Sequence, residues 1–238
     1  NHSLLLRTDG SLWSMGKNDR GQRGDGSELE RGLVGWWKFD GDATDSSGNG
    51  NDGTVNGAIL TNDRHGQANG AYSFDGVDDY IQTPESNKFS IQDQITVSFW
   101  FELNSFEAGN FIQKGNSSTG WEWELWTGNG TTSTGIHLAN GLNWHIGAIN
   151  SDQQVDLNKY SNLAMVFDAS NFLKLYLDGK LVGYSTSFNS SFSRGLSPLF
   201  IGSRKGWAGH DDPFRPFNGS IDDIRIYNRA LSSTEVSA

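Results

Sequence analysis

The 238-residue chain contains no cysteine, so disulfide bridges, thiolate metal sites and a cysteine nucleophile are all excluded. No run of apolar residues approaches the roughly 18 that a membrane-spanning helix needs. Charge is sparse and one-sided: 19% of residues are charged and the formal net charge is −10. With a pI near 4.8, the chain repels nucleic acid and anionic membranes, which removes both from the expected partners. The same field attracts cations, and calcium is the natural candidate. The chain opens on Asn1 without a basic-then-apolar leader. The expectation is a piece of a longer secreted bacterial protein, with any signal peptide upstream and further domains covalently linked.

What the sequence does hold is aromatic and glycine-rich. Mean hydropathy is only −0.54, yet there are nine Trp and thirty Gly, a mix that fits many short strands joined by glycine turns. From Leu33 onward, strand-like stretches such as LVGWWKF, ITVSFWFEL, WEWELW, NLAMVF and FLKLYL follow one another, separated by Gly, Asn, Asp and Ser. Leu173, Leu175 and Leu177 share a face opposite Lys174 and Tyr176, and Asp178-Gly179 then turns the chain into KLVGYS. Strands at near-regular spacing without intervening helices predict an all-β antiparallel sandwich. One helical turn is expected at the end, where Ser232 and Glu235 stand at capping-box spacing. Before residue 30, HSLLLRTDGSLWSMG reads as two strands around a turn at Asp9-Gly10.

Three sets of residues carry candidate chemistry. In GWEWELW, alternation puts Trp121, Trp123 and Leu125 on one face and Glu122, Glu124 and Trp126 on the other. The two glutamates, about 6.6 Å apart along the strand, are expected to be solvated and not catalytic, with Trp121 and Trp123 in the core. In DGDATD, Asp40, Asp42 and Asp45 crowd a turn of the kind that supplies calcium with carboxylate and carbonyl oxygens. It is not an EF-hand, because Asn51 stands where a bidentate Glu belongs. Aromatic side chains stack on sugar rings while polar neighbours bind hydroxyls. The candidate ligand-binding residues are Trp126, Trp144, His145, Arg204, Lys205, Trp207 and His210. The last four lie in the aromatic and locally basic GSRKGWAGHDDPFRPFNG, whose arginines can grip a carboxylate or sulfate. One of Trp36 and Trp37 must leave the core, and Trp100 is expected inside it. The histidines make no metal-ligand spacing and no G-x-S-x-G elbow appears.

LVGWWKFDGDATDSSGNGNDGTVNGA, GQANGAYSFDGVDDYIQTP and FNGSIDDIRIYNRALSSTEV, with SFWFEL, LYLDGKLVG and FIGS between them, resemble the bacterial laminin-G-like domain of the concanavalin A-like lectin and glucanase superfamily. The resemblance implies a two-sheet antiparallel jelly-roll over residues 31–238. It also implies a structural calcium tying the early loop to the last strand through Asp42, Asp45, Asp222 and Asp223. The superfamily includes sugar-binding modules, adhesive modules, glucanases and lyases, so fold leaves function open. Its glucanases carry a longer glutamate, aspartate, glutamate motif that WEWELW lacks, and its alginate lyases a glutamine-isoleucine-histidine strand that GIH at 135 to 137 lacks. Residues 1–30 resemble one repeat of the regulator of chromosome condensation propeller, through His2-Ser3, Asp9-Gly10, Trp13 to Gly16 and Gly21-Gln22. The expectation is a propeller remnant or linker followed by a non-catalytic, calcium-stabilised module that binds a polysaccharide or oligosaccharide outside the cell. A protein-binding or adhesive module is the alternative, and a hydrolase or lyase on the same fold comes third.

Overall fold

A computed structural model describes residues 2–6, 12–16, 30–90, 93–116, 120–127, 134–141, 143–144, 149–150, 155–186, 195–204 and 215–237. The chain divides into two compact units, Asn1–Leu33 and Val34–Ala238. In the first, β1 (His2–Leu6) pairs antiparallel with β2 (Leu12–Gly16), in register from His2 with Gly16 to Leu6 with Leu12.

Among the described residues of the second unit, strands are the dominant element. In chain order come β3 (Leu33–Trp37), β4 (Thr54–Asn56), β5 (Ile59–Thr61), β6 (Ala71–Asp75), β7 (Tyr80–Gln82), β8 (Gln94–Leu103), β9 (Asn110–Asn116) and β10 (Gly120–Thr127). There follow β11 (Thr134–Gly141), β12 (Asn143–Trp144), β13 (Ile149–Asn150), β14 (Ser161–Asp168), β15 (Phe172–Leu177), β16 (Lys180–Ser185), β17 (Leu199–Ile201) and β18 (Asn218–Tyr227). They form two eight-stranded sheets. The first runs β12-β11-β10-β9-β17-β7-β4 with β13 on β11; the second runs β16-β15-β14-β8-β18-β6-β5 with β3 on β18. The long crossovers, such as β18 inserted between β8 and β6, separate this topology from a simple meander and match the predicted jelly-roll.

The sheets meet over one aromatic core. Phe99 and Phe101, two apart on β8 and so on one face, both touch Phe111 of β9, with ring centres 5.1 and 4.8 Å away. Phe217 completes the cluster at 5.0 Å from Phe111. Leu173, Leu175 and Leu177 enter the same core, while Tyr176 points out and is covered by a smaller cluster with Ala164 and Val166 under the chain's end. The Asp178-Gly179 turn has φ of 48° and 71°, the double left-handed geometry that two-residue hairpins favour. α1 (Ser233–Val236) carries the predicted reciprocal capping box between Ser232 and Glu235.

Gly202 fixes the way out of β17. Its φ is 82°, and a Cβ there would come within 2.2 Å of the Phe74 ring, so only glycine brings the chain through to Arg204 at this point. Among the described residues no helix is long and apolar enough to cross a membrane.

Candidate functional site

The sequence pattern anticipates strand β10 well on one face and misjudges the other. Trp123 and Leu125 lie in the core, where the Trp123 indole donates to the Phe89 carbonyl at 3.0 Å. Only the backbone of Trp121 is described. Glu122 and Glu124 are not solvated: they are 1% and 4% exposed. The reason is that each has its own buried cation, which offsets the cost of removing a carboxylate from water.

The two pairs face different ways. The β10 register shifts between Trp121 and Trp123, so Glu122 is the extra residue of a bulge, which re-aims its side chain. It accepts from the Ser90 hydroxyl at 2.9 Å and the Gly195 amide at 3.3 Å, and lies 3.8 Å from Lys114 Nζ. Lys114 also donates to Ser86 O, Ser197 O and Ser197 Oγ, each at 2.7 Å. Burial pulls its pKa down to about 8, against the attraction of Glu122. Glu124 instead meets Arg204, with Nε and Oε2 3.1 Å apart. Burial draws the Arg204 pKa down to about 10, with Glu124 opposing and the nearby Arg215 adding to the fall. Glu122 and Glu124 therefore do not act as one carboxylate pair.

Arg204 reaches across β9 to touch Glu124, and what it crosses is the outer face of the first sheet. Gln113 pairs with Glu124 on one side and Phe200 on the other, and the Phe200 ring lies tilted beside Tyr80, centres 6.4 Å apart. A second bulge matters more. The register jumps from Leu125 opposite Ile112 to Trp126 opposite Asn110. Phe111 and Ile112 consequently both enter the core, and Asn110 comes out on the face that carries Trp126. Trp126 is half-buried, and the Arg215 guanidinium stands 5.7 Å from its ring centre. Arg215 has φ of 51°, uncommon for a side chain of its size, and its carbonyl accepts from the Asn110 amide N–H at 3.0 Å. An indole, two guanidiniums, two carboxamides and a buried carboxylate thus share this face.

Of the predicted ligand-binding residues, Trp126 and Arg204 come together here. Arg204 grips a carboxylate of its own chain, which the sequence reading did not foresee. Trp144 pairs by its backbone with Ala139, and its side chain lies outside the described residues, as do His145, Lys205, Trp207 and His210. The sequence reading missed Asn110, Gln113 and the role of Glu124. The one available signal was the adjacent Phe111-Ile112 pair, which breaks alternation where a bulge sits.

The predicted metal ligands do not converge. Asp45 spends both oxygens on its own loop: Oδ1 accepts from the Trp36 and Ser47 amides at 3.0 and 2.9 Å, and Oδ2 from the Asn51 amide and side chain at 3.0 and 2.7 Å. Burial alone would raise its pKa, but these bonds hold it below the ordinary carboxylate value. Asp42 is exposed and accepts from Thr44 N. Asp222 and Asp223 both pair with Arg64, and Asp223 also with Arg225 at 3.0 Å. A guanidinium and an indole tie the early chain to β18, since Trp36 Nε1 donates to Asp223 at 2.8 Å. This set does not fit the six to eight free oxygens calcium takes. Among the described residues the carboxylates that do converge, within 4.8 Å, are Asp75, Asp78 and Asp79. Trp37 is in the core and Trp36 outside it. Trp100, expected inside, stands on the outer face of the second sheet 5.1 Å from Arg64.

Two antiparallel sheets packed around an aromatic core define a jelly-roll β-sandwich. A family model described as the concanavalin A-like lectin/glucanases superfamily matches residues 75–237, and the chain belongs to that family. A regulator of chromosome condensation repeat matches residues 1–22. Domain 4 of an extracellular GH43 arabinanase from Geobacillus stearothermophilus, in complex with arabinotriose, is similar with a TM-score of 0.66 at 23% identity, over 86% of this chain and 96% of that one. The structure of botulinum neurotoxin type C whose cell entry depends on two ganglioside molecules is similar with a TM-score of 0.69 at 14% identity, over 89% of this chain and 51% of that one. The ligand binding domain of serotype D, in complex with N-acetylneuraminic acid, gives 0.66 at 17%, over 89% and 51%. At these identities the likeness is one of fold. No match is found among curated protein sequences.

Proposed function

We propose that this chain is a non-catalytic carbohydrate-binding module, carried by a longer secreted bacterial protein, that holds an oligosaccharide on the outer face of its first sheet around Trp126. The observation that carries this reading is the half-buried Trp126 indole set beside Arg215 and in register with Asn110. An apolar ring face with convergent polar groups is the composition of a sugar site. The similar arabinanase domain and the serotype D domain hold sugars, which supports the reading without fixing the sugar. A hydrolytic mechanism needs two carboxylates that act across one bond, whereas Glu122 and Glu124 are each neutralised by a separate cation. No step of this reading runs through a metal ion.

Affinity electrophoresis in gels of arabinan, xylan, β-glucan, polygalacturonate and heparin tests it. The expected result is retardation by at least one polysaccharide, left uncleaved, and loss of that retardation in Trp126→Ala. Migration unchanged in every gel, or retardation that survives Trp126→Ala, overturns it.

A further inference from the structure

Asn110 is fully buried, yet neither the oxygen nor the nitrogen of its side-chain amide has a hydrogen-bond partner. Nearly all buried polar atoms in proteins are paired, and an orphaned one costs stability, so each exception calls for a cause. Its surroundings do not supply a structural one. The backbone here is already held without the amide: Asn110 N donates to Arg215 O at 3.0 Å, and Thr127 N to Gly109 O at 2.8 Å. Gly109 N in turn donates to Thr127 Oγ1 at 3.1 Å. An apolar side chain would serve this local fold as well or better.

The position of the amide supplies a functional cause. The bulge that sends Phe111 and Ile112 inward leaves Asn110 opposite Trp126, on the outer face of the first sheet. A carboxamide offers a donor and an acceptor side by side. Two adjacent hydroxyls of a sugar ring offer the complementary acceptor and donor, at the edge of a ring whose apolar face rests on an indole. Resting on the carbohydrate-binding reading above, we infer that Asn110 is the specificity-determining residue of the site: its amide is kept unpaired in the free protein to read a pair of vicinal hydroxyls on the sugar stacked against Trp126. Sites built to hydrogen-bond a hydroxyl reject analogues that lack it, because their own polar groups are then left unpaired. Asn110 is the group on this face that would impose such a penalty.

The test is a pair of variants, Asn110→Leu, which keeps the number and branching of the side-chain heavy atoms, and Asn110→Ala, which leaves space. Each is run in the five polysaccharide gels named above, with thermal unfolding measured alongside. The expected result is retardation weakened at least about tenfold in both variants, with Tm held in Asn110→Leu or raised by about 2–4 °C. Retardation equal to wild type in either variant overturns the inference and leaves the carbohydrate-binding reading standing. A Tm lowered by more than about 4 °C in both variants shows that the amide is structural, and overturns it as well. A wild-type chain retarded in no gel defeats the function reading itself, and the inference falls with it.

Discussion

The two sheets present outer faces built from the same residue types and used in opposite ways. On the second sheet, Trp36 lies with Lys38 Nζ at 4.2 Å and the Arg225 guanidinium at 5.0 Å from its ring centre. Its N–H is spent on Asp223, and Arg64 closes the network against Asp222, Asp223 and Trp100. On the first sheet, among the described residues, the Arg215 guanidinium stands near Trp126, and neither polar atom of the Asn110 side-chain amide opposite has a hydrogen-bond partner. Aromatic content therefore does not identify a binding face. What distinguishes the two faces is the one side chain opposite the indole: Asp223 is spent on its own chain, whereas the Asn110 amide is left for a partner.

The comparison can be broken hardest at Glu124. Glu124→Ala removes the carboxylate that Arg204 meets at 3.1 Å and leaves a guanidinium in a buried position. We expect a loss of roughly 3–5 kcal/mol in urea unfolding, and a loss near zero would mean that the pair does not hold this face together.

On the second sheet the expected effect is a change in pH dependence. Burial raises the Asp222 pKa to about 6, although Arg64 opposes the shift. A carboxyl raised in the folded state contributes stability that is complete below its unfolded value near 4 and is lost as pH rises through 6. The loss is on the order of 3 kcal/mol for a shift of this size. Asp222→Asn should flatten that slope in unfolding midpoints taken between pH 4 and pH 7. An unchanged slope would assign the dependence to other groups.

The smallest effect sharpens the contrast. Trp36→Phe keeps a ring between Lys38 and Arg225 but loses the bond to Asp223, a cost of about 1–2 kcal/mol. Polysaccharide retardation should be untouched, in contrast to Trp126→Ala. A Trp36→Phe variant that no longer binds would move the site to the second sheet.

The residues explain why part of this was legible beforehand. Leu173, Leu175 and Leu177 alternate without interruption, so both their strand and their buried face could be read directly. Asp178-Gly179 and the Ser232–Glu235 box are local devices whose chemistry lies within a few residues, and both form as expected. The glutamates of WEWELW failed the same reading. Their surroundings depend on Lys114 and Arg204, which are supplied by β9 and the segment just after β17. Trp100 failed because its neighbours Phe99 and Phe101 take the core face of β8, so alternation sends the indole outward, where Arg64 stands over it.

By itself, then, the sequence determined the main strands, the turns and the fold class, because these follow from periodicity, glycine placement and short-range hydrogen bonds. Only the tertiary structure decided which carboxylates are solvated and which carry a cation, and that Arg64 and Trp36 clasp Asp222 and Asp223. It also decided, through a one-residue bulge, that Asn110 stands opposite Trp126. Burial and pairing are set by strands distant in sequence, and a register shift of one residue changes which face a side chain serves.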